Sequence, residues 1–447
     1  MQRILEEVLQ SGYERRYDSL AKQLPREWVE QALSATGTAT LRRRRLPAEH
    51  VLWLVIGMAM LRGRSIVEVL SKLDLALPAK GEVAKSSLSE ARHRVGSEAL
   101  QWLCKKTGSQ WAEQARCSTF HGLSVMAMDG VLFHTADSAA NSKHFGKASG
   151  GGYAESGYPI VRGVTLSCMR SHLIVSAAVG GYRDAEQVLL RETLSEVPEN
   201  SVTLLDKNFH AVPFLWDFAQ SGPGRHWLLA AKKNIVVEVE KRLAKNDFIA
   251  TLRPSAGSRK KYPELPETLR CRALSFRHSK TGKQRLLLTS LLDAQTYPRK
   301  ELVALYRERW EIELSYNEIK THMLEAKTTL RSKTPQGVIQ ELWGTFIAYN
   351  LIRFWMLRIA RKKRCSPLRV SFTASLHYIQ DEWMWCALAA PGTLPKKLRD
   401  LEEKLALYML PKRRKKRSYP RIIKFRATKY PKKHNPKISA NNLNTSP

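Results

Sequence analysis

Between Leu20 and Ala112 apolar residues return every three or four positions. "PREWVEQALSAT", "PAEHVLWLVIGMAMLRG", "SIVEVLSKL" and "SSLSEARHRVGSEALQWLCKKTG" carry that spacing, with Pro, Gly and Ser between them, and predict helices. At about Gly122 the period changes. "LSVMAMDGVLFHT" is a strongly apolar, strand-like run interrupted by Asp129. "YPIVRGVTLSCM" and "SHLIVSAAVGGY" predict two more strands separated by a short turn, and "DAEQVLLRETLSEV" a helix. "SVTLLDKNFHA" reads as a buried strand ending at Asp206, followed by a helix from about His210 to Gln220 and a strand at "HWLLAAK". Three strands, helix, strand, helix, strand is an α/β order that matches an RNase H-like core.

From about 234 to 293 the text breaks into short β-like pieces, "NIVVEVE", "DFIATLR", "TLRCRALSF" and "QRLLLTSLL", divided by Pro, Gly and Lys clusters. They predict an inserted β subdomain. Helical spacing resumes at about Arg299 and again from Thr334 to Ala360. The expected organisation is a helical N-terminal DNA-binding domain at 1–118, an RNase H-like catalytic domain at 119–365, and a C-terminal helical, dimer-forming region with a basic tail at 366–447.

One predicted helix has an unusual face. In "LYRERWEIELSYNEIKTHML", Tyr306 lies seven positions before Glu313, Arg309 four before it and Lys320 seven after it, so all four share one stripe of an α-helix. Leu302, Leu305, Ile312, Ile319 and Met323 form a neighbouring apolar stripe that would anchor the helix to a core. A solvated face laced with ion pairs explains such a line equally well when it is taken alone.

Composition changes the weighting. The 447 residues hold 74 Lys+Arg against 41 Asp+Glu, a net charge of +33, which favours a polyanionic partner and makes nucleic acid the leading one. Four consecutive arginines, Arg42, Arg43, Arg44 and Arg45, and the Lys412–Arg417 run would bind phosphates, although either could be an ordinary solvated loop. The longest apolar run, Val51–Leu61, is too short to span a bilayer and reads as a buried helix. With no apolar signal core at the N-terminus, a cytoplasmic, nucleoid-associated protein with no membrane partner is expected. The six cysteines show no C-x-x-C pair, which argues against zinc ribbons and disulfide frameworks.

Asp129 and Asp206 each sit in, or at the end of, a run too apolar for a surface strand. A buried carboxylate is costly unless it is paired, protonated or holding a cation. Two strand carboxylates and a third from a later helix, Glu313, can hold two divalent ions for in-line phosphoryl displacement, and oxygen ligands suit Mg²⁺.

The spacing of Tyr306, Arg309, Glu313 and Lys320 reproduces Y-x2-R-x3-E-x6-K, and with "MAMDGVLF", "TLLDKNF", "TLRRRRLP" and "ELWGTFIAYNLIRF" the chain resembles the IS4-family insertion-sequence transposases of the DDE type over nearly its whole length. The resemblance implies that Asp129, Asp206 and Glu313 are the catalytic, metal-binding triad, served by two Mg²⁺ ions or by Mn²⁺. It also implies that Tyr306, Arg309 and Lys320 face phosphates of the transposon end. Trp310 matches an aromatic that stabilises a flipped base or hairpin end in related enzymes, though its position equally suits a core Trp. Asn208 stands where the family often has Gly. The implied activity is cleavage at terminal inverted repeats followed by joining to target DNA, by a homodimer bridging two ends. An RNase H-like nuclease without strand transfer, or an inactive DNA-binding relative, would share the charge and the core.

Overall fold

The computed structural model describes residues 24–38, 46–73, 83–115, 117–148, 157–232, 235–277, 282–326, 329–386 and 394–411. Arg42–Arg45, the Lys412–Arg417 run and the basic tail lie outside the described residues.

Among the described residues the N-terminal text folds as five helices, α1 (Arg26–Ala35), α2 (Ala48–Met60), α3 (Ile66–Lys72), α4 (Lys85–Val95) and α5 (Glu98–Ala115). Gly96, at φ 71°, ends α4 and separates it from α5. Helix α2 is apolar almost all round and correspondingly buried almost throughout. Among the described residues no helix is long and apolar enough to cross a membrane.

The centre of the molecule is β1 (Ser124–Thr135), followed by α6 (Ala139–Phe145). β1 pairs antiparallel with β2 (Ile160–Cys168), and β2 with β3 (Ile174–Gly181). After α7 (Glu186–Arg191) comes β4 (Ser201–Leu205), parallel to β1, and after α8 (Val212–Gln220) comes β5 (Arg225–Ala230), parallel to β4. The order β3-β2-β1-β4-β5 is the RNase H-like core expected from the sequence. The inserted strands are β6 (Glu238–Ala244), β7 (Asp247–Leu252), β8 (Leu269–Arg277) and β9 (Gln284–Thr289), with the short helix α9 (Ala256–Lys261) between β7 and β8. They extend the core sheet instead of standing apart: β9 pairs antiparallel with β5, and β8, β7 and β6 follow outward. β6 begins at Glu238, later than the apolar text "NIVV" suggests, because as an edge strand it has a ladder on one side only and keeps its charged residues in solvent.

Alternation along β1 divides two cores. Val125, Ala127, Val131 and Phe133 join the larger one, while Met126 and Met128 face the other, under Leu189 of α7 and Phe214 and Phe218 of α8. Asp129 has the parity of the first set.

The helical stretch after the insertion has three windings where the sequence predicts one. Helix α10 (Arg299–Leu305) passes into a 3₁₀ segment, Tyr306–Arg309, then into α11 (Trp310–Asn317), then into a π segment, Glu318–Met323. The first deviation overwinds the chain and the second underwinds it, so the apolar stripe survives: Leu302, Leu305, Ile312, Ile319 and Met323 are all buried. The two-residue strand β10 (Thr329–Leu330) then pairs with the far end of β1.

Helix α12 (Pro335–Lys362), capped by Thr334, is buried on most of its circumference and holds the larger core together. It meets α2 so closely that a Cβ on Gly344 would lie 2.9 Å from the Val55 carbonyl oxygen. Polar links run from the N-terminal helices to the same helix and the segment before it, including Arg62 to Glu341 at 3.5 Å and Arg92 to the Gly337 carbonyl at 3.0 Å. Helices α13 (Phe372–Cys386) and α14 (Leu394–Leu405) follow.

Candidate active site

The ladder between β1 and β4 runs from Ser124↔Ser201 to Met128↔Leu205, and β10 covers only His134 and Thr135. The β4-facing edge of β1 is therefore unpaired from Asp129 to Phe133, just where β4 ends. Crevices at the carboxyl ends of parallel strands are where α/β sheets place their chemistry. Asp129 and Asp206 are the next residues on the two parallel strands after the last pair. The strong apolar runs that flagged them are the buried halves of β1 and β4.

Asp129 is held by its backbone as well as its side chain. Its Oδ1 accepts from the Gly130 N–H at 2.9 Å. Its carbonyl accepts from the Tyr316 hydroxyl at 2.7 Å, and that hydroxyl also lies 2.9 Å from Thr165 Oγ1, on the β2 residue paired with Asp129. Asp206 caps the following 3₁₀ turn through the Lys207 N–H at 2.7 Å. The Tyr306 hydroxyl donates to the Leu205 carbonyl at 3.1 Å, so Tyr306 ties its 3₁₀ segment to the end of β4.

Arg309 stands among the acids. Its Nη2 is 2.8 Å from Glu313 Oε1 and its Nη1 3.7 Å from Asp129 Oδ2, and the Asp206 charge also acts on it. Burial pushes the Asp129 carboxyl up to about 6; Glu186 and Asp206 add to the rise, while the Gly130 N–H and Arg309 oppose it. Arg309 only partly offsets the effect of burial on Asp129. Three carboxylates form a hard-oxygen donor set of the kind divalent ions take, and their residual repulsion is what such an ion relieves. Among the described residues no three of His, Cys, Asp and Glu are gathered closely enough to hold an ion as they stand, and the guanidinium lies between two of these acids.

The remaining expected residues fall around this centre. Lys320, in the π segment, places Nζ 5.7 Å from the centroid of Phe133, further along β1 on the same face as Asp129. It is half-buried, burial lowers its pKa, and no carboxylate among the described residues pairs with it. Trp310 is 58% exposed, which removes the core-Trp alternative and leaves an aromatic face open beside Arg309. Sequence reading passes over Tyr316 and Thr165. The acid of Glu186 is ion-paired with Arg162 and lies against Gly130, where a Cβ would collide with it. Only the β1–β2 register, which a single sequence does not fix, would have put Thr165 beside Asp129.

A 3-2-1-4-5 core sheet with carboxylates just past the last β1–β4 pair and a third on the helix that follows the insertion is the arrangement of a DDE transposase. Residues 120–351 match the family model described as "Transposase DDE domain", and residues 15–105 match "Insertion element 4 transposase N-terminal". The chain is 36% identical over 425 residues to "Transposase InsG for insertion sequence element IS4" of Escherichia coli (strain K12), covering 93% of this chain and 95% of that one. It belongs to the IS4 family of insertion-sequence transposases. A cryo-EM structure of the piggyBac transposase synaptic complex with hairpin DNA superposes at a TM-score of 0.39 and 12% identity, over 88% of this chain and 83% of that one, too loosely to inform the site.

Proposed function

We propose that this transposase binds the terminal inverted repeats of its own element, cuts the DNA at both ends and joins them to target DNA, with Asp129, Asp206 and Glu313 as the catalytic carboxylates. The observation that carries the reading is the convergence of these three acids on one guanidinium at the end of the β1–β4 ladder. Asp129, Asp206 and Glu313 would hold two divalent ions, Mg²⁺ or Mn²⁺, and such ions, when bound, supply Lewis acidity and neutralise charge at the scissile phosphate.

The protein's own groups do the rest. Tyr306 and Tyr316 tie the stretch that carries Glu313 to the β4 and β1 backbone beside the two aspartates. Lys320, whose ammonium has no carboxylate partner among the described residues, takes a phosphate of the transposon end and fixes the backbone without reading sequence. Arg309 exchanges its carboxylates for a phosphate when DNA and ions arrive. Trp310 stacks on a base displaced from the duplex.

In cleavage, water attacks phosphorus and the bond to the 3′ oxygen breaks, leaving a 3′-OH on the element and a 5′-phosphate on the flank. In joining, that 3′-OH attacks a target phosphate and the displaced target 3′ oxygen takes up the proton. One phosphodiester is exchanged for another, so no outside energy source is needed and no protein–DNA bond forms. The helical N-terminal region, with Arg42–Arg45, recognises the repeats, a homodimer bridges the two ends, and the reaction takes place in the bacterial cytoplasm on the nucleoid.

The test is to incubate purified protein with a plasmid carrying the gene and its native flanks, in Mg²⁺ or EDTA, beside Glu313→Gln, and to map the ends. Breaks at both inverted repeats that need Mg²⁺ and vanish in the variant are expected. Binding without cleavage by folded, dimeric protein would overturn the catalytic assignment.

A further inference from the structure

The stretch that carries Glu313 holds three other glutamates, and each is engaged on a side away from the active centre. Glu308 is bound by Arg170 through two contacts of 3.1 Å, from Nε and Nη2. Glu311 lies 3.1 Å from His172 Nε2. Glu318, the first residue of the π segment, is ion-paired with Arg353 of α12 and accepts from the Tyr349 hydroxyl at 2.8 Å. Arg170 and His172 belong to the tight turn between β2 and β3, where His172 adopts φ 63°, a left-handed conformation seldom used by a residue with a side chain. His172 Nδ1 also lies against Arg353 and, at 3.5 Å, Glu318 Oε2, so the ring joins all three groups.

Arg353 and His172 are almost wholly buried. A buried ion pair contributes little net stability compared with an apolar pair of the same shape, so its use here calls for a role in geometry. Glu318 sits at the point where α winding becomes π, and a π turn shifts the angular position of every residue after it. Lys320 is the second residue past that point. A polar cavity of about 240 Å³, lined by Glu318, His322, Arg353 and Ser371 among others, lies behind the π segment and gives it room to rewind if Glu318 is released.

We propose that the buried Glu318–Arg353–His172 cluster is a positioning device for strand cleavage: it pins the π turn and so sets the angle at which Lys320 meets a DNA phosphate. The inference rests on the reading of Lys320 as a phosphate contact. The cluster touches no DNA and acts only through the lysine.

The experiment is a double-mutant cycle. Glu318→Gln/Arg353→Met removes both charges and leaves neither unpaired; Lys320→Ala removes the phosphate contact; the triple variant combines them. Cleavage of plasmid-borne ends and the salt dependence of binding to them are measured for each. Lys320→Ala lowers cleavage and reduces the slope of log K against log salt by about one phosphate contact. The charge-pair variant lowers cleavage roughly tenfold, as expected of a misplaced contact, reduces the slope by the same amount, and has no further effect when Lys320 is already Ala. Tyr349→Phe, which removes one hydrogen bond and no charge, shows a smaller shift in the same direction, and guards against reading misfolding as a result. Full additivity of the charge pair with Lys320→Ala, or an unchanged salt slope in the charge-pair variant, overturns the positioning role and leaves the phosphate contact standing. A silent Lys320→Ala overturns both.

Discussion

Arg309 donates to Glu313 across one turn, Nη2 to Oε1 at 2.8 Å, while its Nη1 reaches within 3.7 Å of Asp129. The guanidinium therefore neutralises acids that in the proposed reaction belong to metal ions. In DNA-free protein it competes with any divalent cation for the same oxygens. Arg309→Met should tighten Mn²⁺ binding to the DNA-free protein by about tenfold, within the usual range of coupling between two cations on one site, while cleavage of transposon ends falls. Titration of the Mn²⁺ EPR signal measures the first effect without reference to activity. Equal or weaker Mn²⁺ affinity in the variant would mean that Arg309 is part of the ion site's support and not its rival.

Trp310 separates folding from function. At 58% exposure its ring contributes little to the core, so Trp310→Ala should leave the thermal midpoint within about 1 °C of the parent, as for other surface substitutions. If the ring stacks on a displaced base, its loss removes about 1–3 kcal/mol at the step that unpairs DNA, slowing strand opening by roughly 5- to 150-fold, and Trp310→Phe restores most of it. Unchanged reactivity at thymines near the cut site in permanganate footprinting, with Ala in place of Trp, would remove the stacking role.

The parts of this site that could be read from the sequence are those with a local signature. Asp129 and Asp206 stood out because a carboxylate is costly inside an apolar strand, and Glu313 because Arg309 lies one turn away on the same face. The helical anchor of Leu302, Leu305, Ile312, Ile319 and Met323 followed from spacing alone and is buried as expected. Spacing sets Glu308, Glu311 and Glu318 off the Arg309–Glu313–Lys320 stripe, but it could not say what engages them. Their partners, Arg170, His172 and Arg353, come from a β-turn and a distant helix, and only the fold brings them together. The change from 3₁₀ to α to π winding is similarly absent from the residue pattern, because tertiary anchors such as Tyr306 on Leu205 hold those turns. The inserted strands were legible as strands but not as a continuation of the core sheet, since the β5–β9 pairing joins residues about 60 positions apart.

Gly344 tests the junction between the N-terminal helices and the catalytic body. At an exposed helix position Gly→Ala stabilises by up to about 1 kcal/mol through propensity. Here the new Cβ would lie 2.8 Å from Val55 Cγ1 and 2.9 Å from the Val55 carbonyl oxygen, and the backbone oxygen can yield only if α2 and α12 move apart. Gly344→Ala should therefore destabilise, by about 1–3 kcal/mol as in other overpacked cores. Urea unfolding followed by circular dichroism gives the sign, and a stabilised variant would mean that the two helices are not held at this distance.

Glu318, partly buried against the buried Arg353, makes stability depend on acid in a defined window. Burial alone would raise its carboxyl, but the Arg353 charge, His172 and the Tyr349 hydroxyl outweigh burial and bring it from 4.5 down to about 2. A folded-state value below the unfolded one means that the unfolded chain binds the proton first as pH falls. The stabilisation is thus fully present above about pH 4.5 and lost as pH drops toward 2, with a ceiling of about 3 kcal/mol from the size of the shift. Other carboxylates titrate in the same range, so the comparison must be with the variant that lacks both charges. Glu318→Gln/Arg353→Met should lose less stability than the parent between pH 5 and pH 3, and the two unfolding curves should converge or cross on the acid side. Parallel loss in both proteins would show that the Glu318–Arg353 pair has the same proton affinity folded and unfolded, and that the buried geometry is not electrostatically coupled to folding.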